Sequence, residues 1–137
     1  MSTWFVDANV FLRFFTVDDQ GQHERAARLF SKALKGQLRL VCGPPVLFEL
    51  SWTLRAAYKV SREKVQEVLS AILSMPGLAM TDTHLVETAL TLADIAGVEF
   101  PDAYIAAGAL AAECDGVATF NRKDFVKMKI KLASFDD

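Results

Sequence analysis

Apolar side chains recur at helical spacing along most of the chain. The pattern predicts a helix from about Gln20 to Lys35, with Ala26, Phe30 and Leu34 on one side and Gly36 as the stop signal. The same spacing and capping signals predict five more helices: Val10–Phe15 with Asn9 as its cap, Gly43-Pro44-Pro45 to about Tyr58, Arg62–Ser74 with Ser61 as its cap, His84–Ala96, and Pro101 to about Cys114.

Short runs of aromatic and branched side chains separate these helices. They predict strands at four places: Trp4–Val6, Leu38–Val41, Leu78–Met80 and Gly116–Thr119. A fifth strand is predicted over Lys127–Leu132, where lysines alternate with Met128, Ile130 and Leu132. Because strands alternate with helices, the chain is predicted to form an α/β fold with a central parallel sheet and helices on both faces.

Three acidic residues interrupt these apolar segments. Asp7 follows the first predicted strand, Glu49 falls in an apolar sector of its helix with Ser51 and Arg55 on the wetter side, and Asp102 opens an apolar helix. Two carboxylates at ~5 Å repel by roughly 3 kcal/mol at an effective dielectric of ~20, so a group of them calls for protons or a cation. Oxygen ligands favour Mg²⁺ or Mn²⁺ over zinc. The pattern therefore indicates metal-assisted chemistry.

Each acid also has a purely structural explanation. Asp7 suits a turn or helix cap, Asp102 lies where a helix dipole favours negative charge, and Glu49 could lie at an exposed helix edge. Asn9 is explained by capping, with a role in orienting a metal-bound water as the alternative. Asp7 is expected at the carboxyl end of a parallel strand, where α/β sheets bind ligands. Together the three acids are hard to explain as caps.

A second polar group follows the predicted strand at Gly116–Thr119. Thr119, Asn121 and Asp124 are candidate site residues, although Asn121 also suits a turn and Asp124 a helix start. From Arg122 to Lys131 there are five basic side chains and one acid, a local charge of +4. This segment could hold a phosphate backbone, or its lysines could protect an edge strand.

Composition sets the outer bounds. The 137 residues, 52% hydrophobic and 23% charged, predict a single domain over 1-137. The net charge of -2 gives no global attraction for nucleic acid. Cys42 and Cys114 are expected to be buried free thiols in a protein of a reducing compartment. No segment approaches the ~20 apolar residues of a membrane span and no signal peptide is seen, so we expect a soluble cytoplasmic protein.

Four segments together resemble a known family. They are Phe5-Val6-Asp7-Ala8-Asn9-Val10-Phe11-Leu12, then Glu49, then Pro101-Asp102-Ala103-Tyr104-Ile105-Ala106-Ala107, then Ala118-Thr119-Phe120-Asn121. In order and spacing they look like a PIN-domain ribonuclease of the VapC toxin type, over the whole chain. The resemblance implies a PIN-like three-layer sandwich and a divalent-metal-dependent endoribonuclease that is the toxin of a toxin-antitoxin pair.

The resemblance also implies roles for residues and partners. Asp7, Glu49 and Asp102 would bind Mg²⁺, or Mn²⁺, and would be catalytic together with Asn121, with Thr119 nearby. The implied partners are an RNA substrate, with tRNA one candidate, a cognate antitoxin and a second copy of the chain in a homodimer. Many relatives carry an acidic residue where this chain has Asn121, so either Asn121 or Asp124 could complete the site. We expect one tightly held ion.

Two other functions compete with the ribonuclease. An aspartyl-phosphate phosphatase also begins with an aspartate after the first strand, but here no second aspartate follows Asp7 two residues later. A catalytically idle PIN-fold interaction module would keep the acids without cleaving RNA. Neither His23 nor His84 suits a general base by motif.

Overall fold

A computed structural model describes residues 1–135 of the chain. Its contacts divide the chain into two compact units, the first from Met1 to Asp82 and the second from Thr83 onward. Each unit is described by itself. The single domain predicted from chain length stays a prediction.

The first unit contains three strands and four helices. In chain order they are β1 (Thr3–Phe5), α1 (Ala8–Phe15), α2 (Gln20–Leu34), β2 (Arg39–Cys42), α3 (Pro44–Ala56), α4 (Arg62–Leu73) and β3 (Leu78–Met80). The strands form a parallel sheet in the order β1-β2-β3, with Trp4 opposite Leu40 and Val41 opposite Ala79. The predicted α/β class with a parallel sheet is confirmed.

Local sequence signals explain where these helices begin. Asp19 accepts a hydrogen bond from the backbone N–H of Gln22 at the start of α2, and Ser61 accepts one from Lys64 at the start of α4. Pro44 and Pro45 occupy the first turn of α3, where a missing N–H does no harm. The prediction of Asn9 as a cap is wrong, because α1 begins two residues earlier than predicted and Asp7 caps it.

Aromatic packing joins α1 to α2. The Phe11 ring is fully buried and stacks on Phe30 with a centroid distance of 5.4 Å, while Phe14 meets Phe30 edge-on at 4.8 Å. Full burial of a side chain such as Phe11 stabilises the fold by about 1.5–3 kcal/mol. This packing fixes the position of α1, which follows Asp7 directly.

Gly77 allows β3 to pass close to the end of α2. Its φ is +80°, and an added Cβ would overlap the backbone carbonyl of Ala33. The Leu40 N–H donates to the Gly77 carbonyl at 2.9 Å, which starts the pairing of β2 with β3. The predicted strand over Leu78–Met80 is confirmed.

The second unit is helical over its described residues. Its elements are α5 (Thr83–Ala96), α6 (Phe100–Ala111) and α7 (Arg122–Lys127). Gly97, with φ +70°, follows α5 as predicted, and Pro101 lies in the first turn of α6. The α5 and α6 helices pack against each other, and their buried side chains include Ala89, Ala93, Ala103 and Ala107.

Four predictions for the second unit are wrong, among them that the apolar helix opened by Asp102 is a buried helix. The segments Gly116–Thr119 and Lys127–Leu132 do not form strands, since only an isolated parallel bridge joins Val117 to Leu132 and α7 ends at Lys127. The α6 helix is not buried all round, because Ile105 and Leu110 are each more than half exposed. Cys114 is exposed rather than buried.

Two further properties bear on the predictions. Cys42 is buried as predicted, and its burial raises the pKa of the thiol to about 11. Over residues 1–135, no helix combines the length and the apolar character that crossing a bilayer requires.

Candidate active site

The second unit brings three of the predicted site residues together. Asp102 lies in the first turn of α6, and Asn121 precedes the first residue of α7. The Asn121 side-chain amide donates to Asp102 Oδ2 at 3.3 Å and to Asp124 Oδ2 at 3.0 Å. One amide therefore bridges two carboxylates from different helices. We call Asp102, Asn121 and Asp124 the α6–α7 cluster.

The α6–α7 cluster is electrostatically strained. The pKa of Asp102 is raised, mainly by partial burial, and then by the charge of Asp124, a hydrogen bond with Asp124 and the charge of Glu99. The hydrogen bond from Asn121 acts in the opposite direction and is too weak to cancel these effects. A carboxylate with a raised pKa beside a second carboxylate is a local arrangement that a cation would stabilise.

Thr119 fixes the position of Asn121. Its hydroxyl oxygen accepts a hydrogen bond from the Asn121 backbone N–H at 3.0 Å. The Asn121 side chain makes no capping bond to α7, although its position at the helix start would allow one. Its amide instead donates to the two carboxylates, and a role as a turn or cap residue alone does not account for these contacts.

The first unit carries the other predicted site residues. Asp7 follows β1 and is exposed, and its Oδ1 accepts a hydrogen bond from the Ala8 backbone N–H at 2.8 Å. The Val6 N–H donates to the Val41 carbonyl at 2.8 Å, so Asp7 leaves the sheet at the edge where β2 ends and α3 begins. This is the carboxyl edge of a parallel sheet, as predicted.

Glu49 and Asn9 meet between α1 and α3. Both line a small cavity of about 60 Å³, together with Leu12 and Thr53. The prediction that Glu49 occupies a buried sector of its helix is wrong, because Glu49 is exposed and Ser51, predicted on the wetter side, is only 2% exposed. Asp7, Asn9 and Glu49 are called the α1–α3 group below.

The cluster and the group have the donor chemistry of a magnesium site. Carboxylate and amide oxygens predominate, without cysteine or histidine. Among residues 1–135, neither unit by itself contains a group of three or more Asp, Glu, His or Cys side chains placed to hold a metal ion. Mg²⁺ commonly uses only one or two protein carboxylates and completes its shell with water and substrate phosphate. Asp102 and Asp124 therefore fit Mg²⁺ or Mn²⁺.

Both histidines are consistent with structural or surface roles. The His23 ring stacks on Phe14, and its Nδ1 lies 3.0 Å from the Arg13 carbonyl, an acceptor that requires a proton on this nitrogen. His84 is exposed at the start of α5.

Sequence reasoning missed a polar wall beside the α1–α3 group. Arg13 and Arg25 line an open cavity of about 550 Å³ between α1 and α2, and Asn9 lines it too. A signal was present, because Arg13 is the one charged residue within the apolar run of α1. The apolar spacing of this run predicts a packed helix and gives no indication of a role for the arginine within it.

Comparison with protein families identifies a match to this chain. The model of the PIN domain family matches residues 4–131, nearly the whole chain. A search of curated protein sequences found no match to this chain. Proteins with this domain are usually nucleases, generally metal-dependent ribonucleases.

Proposed function

The chain belongs to the PIN domain family, and from this premise we propose that it is a divalent-metal-dependent endoribonuclease. The observation that carries the proposal is the α6–α7 cluster, in which the pKa of Asp102 is raised next to Asp124. Folding has placed two carboxylates where they repel, and metal binding explains that arrangement better than stability does.

We assign roles from the residue contacts and from the family resemblance. Asp7, Glu49 and Asp102 are proposed as catalytic metal ligands, with Mg²⁺ as the ion and Mn²⁺ as an alternative, and Asp124 as a further ligand. When bound, the ion supplies a more acidic water and neutralises charge that develops on the phosphodiester. Asn121 orients the Asp102 carboxylate, and Thr119 in turn fixes Asn121.

The chemistry proposed is hydrolysis by water. Glu49 or Asp7 would accept the proton of the attacking water. The leaving oxygen of the phosphodiester takes up a proton from solvent, and no covalent intermediate forms. Asp7 keeps its hydrogen bond from Ala8, which holds the carboxylate at the sheet edge.

The test is cleavage of a pool of cellular RNAs by purified protein, with Mg²⁺ and with EDTA. We expect cleavage only with the metal, and its loss in Asp7→Asn and Asp102→Asn. Asp115→Asn is the matched control, because Asp115 is an exposed aspartate of the second unit outside the cluster. Cleavage that persists in EDTA, or in both site variants, would reject the metallonuclease. No cleavage in any preparation would favour the idle interaction module.

We further propose that the protein is a VapC-type toxin, cytoplasmic and homodimeric, with a cognate antitoxin. The support is the spacing of the four resembling segments. Induced expression in a bacterial host should stop growth, and co-expression of a small protein encoded by the adjacent reading frame should restore it. Asp102→Asn should be harmless without that protein. Growth arrest by Asp102→Asn as strong as by the unmodified chain would contradict a toxin that acts by RNA cleavage.

A further inference from the structure

The open cavity between α1 and α2 offers hydrogen-bond donors to an anion. Two of its lining side chains, Arg13 and Arg25, are positively charged, and Asn9 and Gln22 carry amides. The remaining lining residues are Val10, Ala26 and Leu29, so no acid is among the described residues that line it. A volume of about 550 Å³ is ample for a phosphate group with part of its sugar.

Internal hydrogen bonds engage only part of the Arg13 guanidinium. Its Nη1 donates to Asp18 Oδ1 at 3.0 Å, whereas its buried Nε has no hydrogen-bond partner among the described residues. The Arg13 side chain as a whole is 31% exposed and lines the cavity, so an oxyanion there would meet the exposed part of the guanidinium rather than Nε. A guanidinium suits this contact because its planar N–H groups match the geometry of a phosphate.

Neighbouring side chains hold Arg13 in place. Asp18, its partner, also accepts hydrogen bonds from the Thr16 hydroxyl at 2.9 Å and from the Tyr58 hydroxyl at 2.5 Å. These bonds and the nearby positive charge lower the pKa of Asp18, so the carboxylate stays charged and keeps its hold on Arg13. The guanidinium is therefore oriented before any ligand arrives, which reduces the entropy lost on binding.

Asn9 connects this cavity with the α1–α3 group. It lines both the α1–α2 cavity and the small cavity that Glu49 lines. It also follows Asp7 by two residues along the chain. An anion held by Arg13 and Arg25 would therefore lie beside the candidate catalytic acids of the first unit, as part of a ligand that extends toward them.

We propose that the α1–α2 cavity binds a backbone phosphate of the RNA substrate, away from the bond that is cut, through Arg13 and Arg25. The inference rests on the proposed ribonuclease function, because it names a contact made by that substrate. RNA is favoured over an acidic protein segment because the cavity adjoins acids proposed to act on a phosphodiester of the same strand. The contact is independent of base sequence and sets where the strand lies.

The test measures binding of a fluorescein-labelled, mixed-sequence RNA of ~12 nucleotides by anisotropy. The full chain carries Asp102→Asn in every sample, so that the RNA stays intact. On this background we compare Arg25→Gln and Arg13→Lys with Arg28→Gln. Arg28 is the matched control, an exposed arginine of α2 that does not line the cavity.

We expect Arg25→Gln to weaken binding about tenfold at low salt, as for loss of one charge-assisted hydrogen bond. The slope of log affinity against log salt should fall by ~0.7, the value for one phosphate contact on a single strand. Arg13→Lys keeps the charge and removes the planar guanidinium, and should also weaken binding several-fold. Arg28→Gln should change affinity less than about twofold. Thermal unfolding checks that Arg13→Lys still folds, and Arg25, which is exposed, tests the inference regardless.

Three results decide the matter. Equal binding by Arg25→Gln and Arg28→Gln overturns the phosphate site, even if the unmodified chain cleaves RNA. If Arg25→Gln binds RNA normally but no longer binds the protein encoded by the adjacent gene, the phosphate site is also overturned, and the cavity is assigned to a protein partner. RNA binding that depends on Arg25, in a protein that cleaves no RNA, supports the site while the proposed enzymatic function fails.

Discussion

The two sets of candidate acids are held in different ways. In the α1–α3 group, Asp7 is exposed and caps a helix, so its hydrogen bond from the Ala8 N–H stabilises the local structure. In the α6–α7 cluster, Asp102 is partly buried beside Asp124, and the structure disfavours its charged form. A helix cap is sufficient to explain an aspartate at position 7, whereas local stability does not explain two adjacent carboxylates. The cluster is thus the stronger sign of function.

The largest expected effect separates activity from stability at Asp102. Asp102→Asn should reduce the RNA cleavage rate by about 10²–10³-fold, the size typical for losing one electrostatic contact in a transition state. Its thermal midpoint in metal-free buffer should not fall, because the variant removes a repulsive charge. Cleavage assays and calorimetry on the same samples, with Asp115→Asn beside them, measure both. A lower midpoint with normal cleavage would make Asp102 a structural residue.

The next effect is metal-induced stabilisation. Mg²⁺ at 100 times its dissociation constant should raise the free energy of unfolding by about 2.7 kcal/mol, if it binds only the folded chain. Asp102→Asn should abolish most of this gain, and Asp115→Asn should retain it. Unfolding by denaturant across a Mg²⁺ titration gives the result. Full stabilisation of the Asp102 variant would exclude Asp102 as a ligand.

A smaller effect tests the cap in the α1–α3 group. Asp7→Ala should lower the free energy of unfolding by about 1 kcal/mol, because the Ala8 N–H loses its acceptor. Asp7→Asn should be close to neutral for stability, since asparagine caps helices equally well, and should still lose RNA cleavage. Urea unfolding distinguishes the two. If both variants were equally unstable, the charge of Asp7 would matter for folding and the contrast between the two sets would weaken.

The smallest effect concerns pH. Because the pKa of Asp102 is raised in the folded chain, the folded state holds more protons than the unfolded state between ~3.9 and that raised value. Stability contributed by this group therefore falls as pH rises through that window, and is level above it. In EDTA, the stability advantage of Asp102→Asn over the unmodified chain should grow across the same window. A difference that stays constant with pH would show that Asp102 titrates normally.

Much of the first unit could be predicted because its signals are local. Ser61, Pro44 and Gly77 act on the backbone within a few residues of themselves, and the observed elements begin or turn at these residues. The cap of α1 was misplaced because both Asp7 and Asn9 are good caps, and apolar spacing does not fix a helix start to within two residues. The carboxylate was still placed at the sheet edge.

The errors arose where neighbours in space decide the outcome. Lysines alternate with apolar residues after Lys127, which mimics a strand, but the chain turns at Lys129 with φ +60°. The apolar spacing predicts the wrong buried side for α3, because the side that is buried depends on which elements pack against the helix. Ser51 is buried there, and Glu49 is exposed. The bridging amide of Asn121 could not be foreseen either, since it joins residues 19 positions apart.

The two cysteines differ enough to be useful in the laboratory. Burial and a pKa of about 11 keep the Cys42 thiol protonated and out of reach at neutral pH, whereas Cys114 is open to solvent just beyond α6. A maleimide dye or spin label should therefore attach at Cys114 alone, without prior mutagenesis. The natural chain thus carries its own single attachment point for spectroscopy on the unit that holds Asp102.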